Sequence, residues 1–351
     1  EFDKAEGVIL KISKGDKFVD SAKTGEEIEI ITNQTPFYGE SGGQVGDQGI
    51  IYSSDCKINI RDTQKKMGDL YVHTGKVEKG SIKIGQSVNL EIDTNKRNNS
   101  RANHSATHLL HESLRRTLGK HVTQKGSLVS PDRLRFDFSH NKPIEKEEMT
   151  KINNIVNEIV QGSSDVQTRI MTPKEAVSMG ALALFGEKYG EEVRVLSMGN
   201  EKNKYFSTEL CGGTHVRNTE DIGKFKIVNQ SSIAAGIRRV EALREKQLED
   251  YLKNKEKLLD LSVQKNDEII KDLSKKIIKL GEKPNLDKKN PTEIIKELTK
   301  QLDLLTVDSI LKDKTKNIIY NETIKGIKVR LQKIKDLPTK ELRKLVDKGK
   351  K

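Results

Sequence analysis

The chain has 351 residues, with 64 Lys and Arg against 52 Asp and Glu, a formal charge of +12. That length accommodates two or three domains, and the basic balance points to a polyanion as partner, nucleic acid first. Two distant cysteines, Cys56 and Cys211, exclude a disulfide framework and fit a reducing, cytoplasmic setting, and no apolar run approaches the ~20 residues that span a bilayer.

Residues 1–95 predict a small β-barrel or sandwich. Short apolar runs at 7–13, 26–33, 49–53, 57–62, 70–77 and 86–93 are separated by Gly, Asp, Asn and Ser clusters. "TPFYGESGGQVGDQG" (35–49) interrupts them as an irregular glycine-rich loop. With no Trp and 4% aromatic residues, the core is expected from Ile, Leu and Val. Cys56 reads as structural, inside a strand.

Residues 96–240 predict an α+β domain with a mainly antiparallel sheet. A helix over roughly 100–118 ends at Gly119. "RLRFDFSH" (133–140) alternates Leu134, Phe136 and Phe138 with polar residues, the period of a half-buried strand. An amphipathic helix follows over 144–162, then strands near 165–172, 191–198 and 223–230.

From 241 charged residues crowd around Leu248, Leu252, Leu259, Val263, Ile270, Leu273, Ile277 and Leu280. Stepped at ~100° per residue, these form one apolar stripe on a helix of ~60 Å. "GEKPN" (281–285) breaks it, and Pro291 suits the first turn of a return helix over 291–304. The expectation for 241–315 is therefore an antiparallel helical hairpin. Residues 316–351 read as two strands and a helix over 339–348, the start of a truncated domain. The chain opens at Glu1 and carries no signal peptide, which fits a segment cut from something longer.

The chemistry gathers in two stretches. "RANHSATHLLHESLRR" (101–116) holds three of the seven histidines, His104, His108 and His111. On a helix all three share a face. His104 and His111 are about 10 Å apart along such a helix and cannot share one ion, so His108 belongs to either pairing. The second stretch, "ELCGGTHVRN" (209–218), places Cys211 and His215 around two glycines that let the backbone turn tightly. Two helix histidines with this Cys and His make a complete tetrahedral donor set for Zn²⁺.

These motifs, with "VTQKGSLV", "RLRFDFSH", "CGGTHVRNTEDIG" and "AAGIRRVEAL", closely resemble the editing domain of alanyl-tRNA synthetase. "TPFYGESGGQVGDQG" resembles the glycine-rich loop of the β-domain that precedes it, and free-standing AlaX-type trans-editing proteins share the same core. The resemblance covers about residues 1–245, and the helical segments beyond also resemble the region after the editing domain in that synthetase. It implies His104, His108, Cys211 and His215 as ligands of one zinc ion, and so favours His104 over His111.

The implied activity is hydrolysis of the ester joining serine or glycine to tRNA(Ala). A pocket shaped for alanine excludes neither the smaller glycine nor a side chain with one added hydroxyl strongly enough, so a second site must destroy the products. The zinc would either activate water or position the substrate; four protein ligands favour the second. By resemblance Thr107, beside the ligand His108, would lie in the substrate pocket near the metal, and Thr123 and Gln124 would read the serine hydroxyl. Gly42, Gly43, Gln44 and Asp47 would shape the pocket mouth or touch the acceptor end. Arg97, Arg101, Arg115, Arg116, Arg133, Arg135, Arg238 and Arg239 would form a basic rim, with Arg101 and Arg238 the preferred phosphate contacts. No catalytic base is assigned. Neither G-x-x-x-x-G-K-[ST] nor G-x-G-x-x-G occurs, so ATP use belongs only to a parent enzyme.

Rival readings are a free-standing trans-editor, a zinc-stabilised RNA-binding module without catalysis, and the related threonyl-tRNA editing domain. Self-association through the helical arm is expected only of a longer protein.

Overall fold

The computed structural model describes residues 2–182, 190–201, 204–288, 290–312, 317–335 and 342. They fall into two compact units, 1–251 and 252–351.

The first unit opens with nine strands: β1 (Lys4–Lys14), β2 (Lys17–Val19), β3 (Ser21–Lys23), β4 (Glu27–Thr32), β5 (Gly49–Tyr52), β6 (Lys57–Lys66), β7 (Leu70–Lys79), β8 (Ser81–Lys83) and β9 (Ser87–Ile92). Six close into a barrel in the order β1-β4-β7-β6-β5-β9, with β9 pairing back onto β1. Closure removes the open edges that a flat sheet of this size would expose. Alternation supplies the filling. In "EIEIIT" Ile28 and Ile30 are buried, and in "SVNLEI" Val88, Leu90 and Ile92 are. They meet Ile9, Ile12, Ile51, Ile58 and Ile60 in a core made almost wholly of branched aliphatics. The small barrel expected from the sequence is thus present.

Helix α1 (Thr94–Leu118) leaves the barrel directly. It starts six residues before the expected position. The opening turns carry no apolar periodicity, and the start is set instead by Asp93, whose side chain accepts from the Lys96 N–H as N-cap. It ends at Gly119 as expected, with φ 121°. Leu109, Leu110 and Leu114 are fully buried, and the three histidines are buried beside them.

Two antiparallel sheets surround α1. One has the order β10-β11-β16-β15, from β10 (Gln124–Val129), β11 (Leu134–Ser139), β15 (Phe225–Ala234) and β16 (Ile237–Arg244). The other joins β12 (Gln167–Met171), β13 (Val193–Glu201) and β14 (Lys204–Leu210). Phe136, Phe138, Val240 and Ala242 of the first sheet pack with Leu109 and Leu114 of α1, and with Ile152, Val156 and Val160 of α2 (Lys146–Gln161). Helix α3 (Pro173–Ser178) adds Ala176 to a smaller cluster with Val195 and Leu210. The antiparallel α+β character expected from the sequence holds.

One boundary is corrected. Residues 241–244 are strand, pairing with β11 and β15, because Ala242 is core and Arg244 is locked by Asn103 and Asn99. Glu245, at φ 42°, turns the chain from strand into α4 (Glu245–Lys279).

In the second unit the remainder of α4 and α5 (Pro291–Lys312) flank the expected break, and β17 (Asn317–Ile324) pairs with β18 (Ile327–Ile334). Gln301 of α5 holds the connection, accepting from the Asn285 N–H at 3.0 Å and donating to the Lys283 carbonyl at 2.7 Å. The helix expected over 339–348 lies outside the described residues except at 342. Among the described residues no helix is long and apolar enough to cross a membrane.

Candidate metal centre

His104 and His108 project from successive turns of α1, while Cys211 and His215 come from the loop after β14. One ligand atom from each lies within 4.8 Å of all the others. Cys211 Sγ is 3.4 Å from His104 Nε2 and 3.2 Å from His215 Nε2. His111 lies outside this group.

The far side of each imidazole is already committed. His104 Nδ1 donates to Gln44 Oε1 at 2.7 Å. His108 Nδ1 donates to Glu209 Oε2 at 2.8 Å. His215 Nδ1 donates to Ser105 Oγ at 3.2 Å, because the Ser105 hydroxyl itself donates to the Arg101 carbonyl. Each ring thus commits Nδ1 to the surrounding protein and keeps Nε2 on the inner side, the arrangement a metal needs. His108 Nε2 is buried without a partner among the described residues, as expected of a donor atom whose partner is a cation. The residues present fit a metal ion.

Electrostatics agree. Burial raises the Cys211 thiol, but His104, His215 and His108 outweigh it and hold the group well below its ordinary value. Burial lowers His215, to about 3. Burial also works against a charge on His108, but Glu209 and Cys211 raise it to about 10. Glu209, although buried, is driven far below the carboxylate range by His108 and His111. A thiolate ringed by imidazole nitrogens is a donor set for a dication, and a bound dication would take the place of the proton that His108 otherwise carries.

The two glycines of the loop differ. A Cβ on Gly213 would sit 2.1 Å from His104 Cε1, whereas one on Gly212 would meet nothing within 4 Å. Only Gly213 is required for the loop to close on the ring.

The glycine-rich loop packs onto this centre from the barrel side. Gln44 is fully buried; its Nε2 donates to Thr214 Oγ1 at 2.8 Å, and its Oε1 accepts from the Thr214 N–H at 3.0 Å as well as from His104. Gly43 lies so close to β10 that a Cβ there would be 2.1 Å from Ser127 Oγ, and the Gly42 carbonyl accepts from that hydroxyl at 3.4 Å. Asp47 forms a buried ion pair with Arg97. Thus Gln44 and Asp47 are built into the interior, while Gly42 is at its edge.

Thr107 is buried, and its hydroxyl donates to the Asn103 carbonyl at 2.8 Å. Thr123 Oγ1 is 2.9 Å from Ser139 Oγ, and Gln124 Nε2 is 3.5 Å from Ser127 Oγ, beside the glycine-rich loop. Most of the arginines of the expected rim are engaged with acids. Arg239 is bidentate on Asp137 at 2.7 and 2.8 Å, Arg116 reaches Glu201 at 2.8 Å, and Arg133 lies 3.6 Å from Glu241. Arg135 lies 3.7 Å from Asp137, Arg101 3.7 Å from Asp3, and Arg115 donates to the Val122 carbonyl at 3.1 Å. Arg238 Nε is buried without a partner among the described residues.

Sequence reasoning missed Glu209 and Ser105. Glu209 adjoins the Cys-x-x-x-His loop by only two positions, and its acidity on an otherwise buried strand was the available signal.

Residues 1–96 match the family model described as tRNA synthetases class II (A), and residues 193–241 match the threonyl and alanyl tRNA synthetase second additional domain. Among curated proteins, an alanine–tRNA ligase of Parvibaculum lavamentivorans is 44% identical over 351 residues, covering 99% of this chain and 38% of that protein. Those of Mesorhizobium japonicum and Chelativorans sp. are 56% and 53% identical over 248 and 264 residues, covering 69% and 74% of this chain but 28% and 30% of those proteins. The chain thus spans well under half the length of these relatives. On these matches, with a cysteine–histidine cluster set between a barrel and two antiparallel sheets, the chain belongs to the alanyl-tRNA synthetase family.

Proposed function

We propose that this chain hydrolyses the ester of tRNA(Ala) wrongly charged with serine or glycine, as the editing segment of an alanine–tRNA ligase, in the cytoplasm. One observation carries the reading: four ligand atoms from α1 and the Cys211–His215 loop lie within 4.8 Å of one another. One sulfur with three nitrogens suits Zn²⁺. When bound, the ion would supply positive charge at the acyl end of the substrate, and a shell closed by four protein ligands favours positioning over water activation.

The chain's own residues do the rest. Gln44, Glu209 and Ser105 hold the three imidazoles in register, so the site needs no rearrangement to receive the ion. Gln124 at the start of β10 stands beside Gly42 and Ser127, where an amide can sense an added hydroxyl. Helices α4 and α5 are proposed to form an antiparallel hairpin that supports self-association in the longer relatives. Their length also favours a synthetase segment over a free-standing trans-editor.

The test is serine release from Ser-tRNA(Ala) by the chain, beside Cys211→Ala, with zinc measured in both. The proposal expects release by the wild type and loss of both release and zinc in the variant. Binding of the tRNA with no release would instead support the RNA-binding module. Faster release from tRNA(Thr) than from tRNA(Ala) would support the threonyl relative.

A further inference from the structure

We propose that a cavity of about 470 Å³ between the barrel and the metal-binding loop is the subsite for the terminal base of the acceptor strand, with Tyr71 and Tyr38 as its aromatic wall. The inference rests on the reading of this chain as a hydrolase of charged tRNA, and it names where the nucleoside end of that substrate sits.

Position is the first argument. Gly212 and Thr214 line the cavity, and they flank Gly213 in the loop that carries Cys211 and His215. A nucleoside in the cavity would bring its ribose, the carrier of the ester, to that loop. The volume falls within the range of small-ligand sites, about 300–1,000 Å³.

Lining chemistry is the second. Two described cavities touch the 211–217 stretch. The other, of about 720 Å³, is bordered by Arg101, Arg194, Arg217 and His215 together with Asp3 and Asp221, so guanidinium groups outnumber carboxylates, and it has no wall of Tyr or Phe. Bases stack on aromatic faces, and phosphates seek guanidinium groups. The tyrosine cavity therefore suits the base, and the arginine cavity suits the phosphodiester that precedes it. Arg194 borders both, and its Nη1 donates to the Gly213 carbonyl at 2.5 Å, so it stands where the two would join.

Rigidity is the third. Tyr71 lies against Gly39, where a Cβ would be 3.0 Å from its Cδ1. Lys65, its partner across β6 and β7, holds Nζ 5.9 Å from the ring centroid. Tyr38 donates its hydroxyl to the Ser41 carbonyl at 3.0 Å and its N–H to Asp47 Oδ2 at 2.7 Å. Aromatic walls fixed before binding lose little freedom when a base arrives.

The test compares two RNA minihelices of the alanine acceptor stem, one ending CCA and one lacking the terminal A, bound to the full chain as wild type, Tyr71→Ala and Tyr71→Phe. The wild type should bind the CCA form about 10-fold more tightly. Tyr71→Ala should lose that preference, weakening CCA binding about 10-fold and leaving the shorter RNA unaffected, whereas Tyr71→Phe retains the stack and the preference. Zinc content should be equal in all three. Equal wild-type affinity for the two RNAs would overturn the proposal, as would equal weakening of both by Tyr71→Ala. AMP binding as tight as the CCA minihelix would assign the cavity to free nucleotides and overturn it too. Because binding is read apart from serine release, a chain that discriminates the terminal A yet releases no serine refutes the editing reading alone.

Discussion

Gln44 Oε1 lies 2.7 Å from Nδ1 of His104, so the glycine-rich loop of the barrel directly braces a histidine of the metal cluster sixty positions later. The barrel is therefore part of the site rather than a preface to it. Gln44→Ala would leave His104 Nδ1 and Thr214 without their buried partner, at about 1–3 kcal/mol. Losing such a brace typically weakens metal binding about 10–100-fold. Competition with a chromophoric chelator checks this, and unchanged affinity would count against a bracing role.

Glu209 serves two rings at once, accepting from His108 Nδ1 at 2.8 Å and from His111 Nδ1 at 3.1 Å. On this geometry His111 would act through Glu209 and not as a ligand. Glu209→Ala is expected to lower metal affinity about 10–100-fold. His111→Ala should lower it less and leave the stoichiometry at one ion. Loss of the ion on His111→Ala, with His104→Ala retaining it, would reverse the assignment.

The two loop glycines give a steric contrast. Gly213→Ala forces a Cβ into the His104 ring, and overpacking of this kind costs about 1–3 kcal/mol. Metal content should fall with it. Gly212→Ala meets open space and should bind metal as the wild type does. Metal analysis of the two purified variants separates them.

Arg97 and Asp47 are a buried pair joining α1 to the glycine-rich loop, and Arg97 also donates to the Pro36 carbonyl at 2.9 Å. Asp47→Ala strands a buried guanidinium, at about 3–5 kcal/mol, whereas Asp47→Ala with Arg97→Met should cost less than the single change. Urea denaturation of the single and double variants tests the coupling.

His73, inside the barrel, is lowered to about 4 chiefly by burial; its Nδ1 donates to the Ile30 carbonyl at 3.1 Å, and its Nε2 accepts from Thr35 Oγ1 at 2.8 Å. The unfolded chain takes up this proton near pH 6.5, and the folded chain only near pH 4. The His73 contribution is thus complete above pH 6.5, is lost as pH falls toward 4, and changes no further below that. About 3–4 kcal/mol is at stake over the whole window. Denaturation at about pH 7 and about pH 4.5 should show the loss in the wild type and a flatter response in His73→Gln.

Much of this is readable from local pattern. The barrel strands follow alternation and glycine punctuation, and α1 ends at the glycine that marks its end in the sequence. His108, Cys211 and His215 are visible as two spacings; spacing alone leaves His104 and His111 as alternatives, the resemblance selects His104, and the structure brings His104 into the cluster. What the sequence hides are partners fixed by the closed fold. Gln44 reads as a loop residue until the barrel carries its loop against α1. Glu209 reads as one more acid until β14 is seen facing two histidines. The start of α4 is misplaced by pattern alone because 241–244 carry both a helical stripe's charges and the core positions of a strand, and pairing with β11 decides for the strand.

The most direct test of the four-residue grip is X-ray absorption at the zinc edge of the metal-loaded chain. One sulfur at about 2.3 Å and three nitrogens at about 2.0–2.1 Å are predicted. A shell without sulfur, or with two oxygens in place of imidazoles, would contradict it.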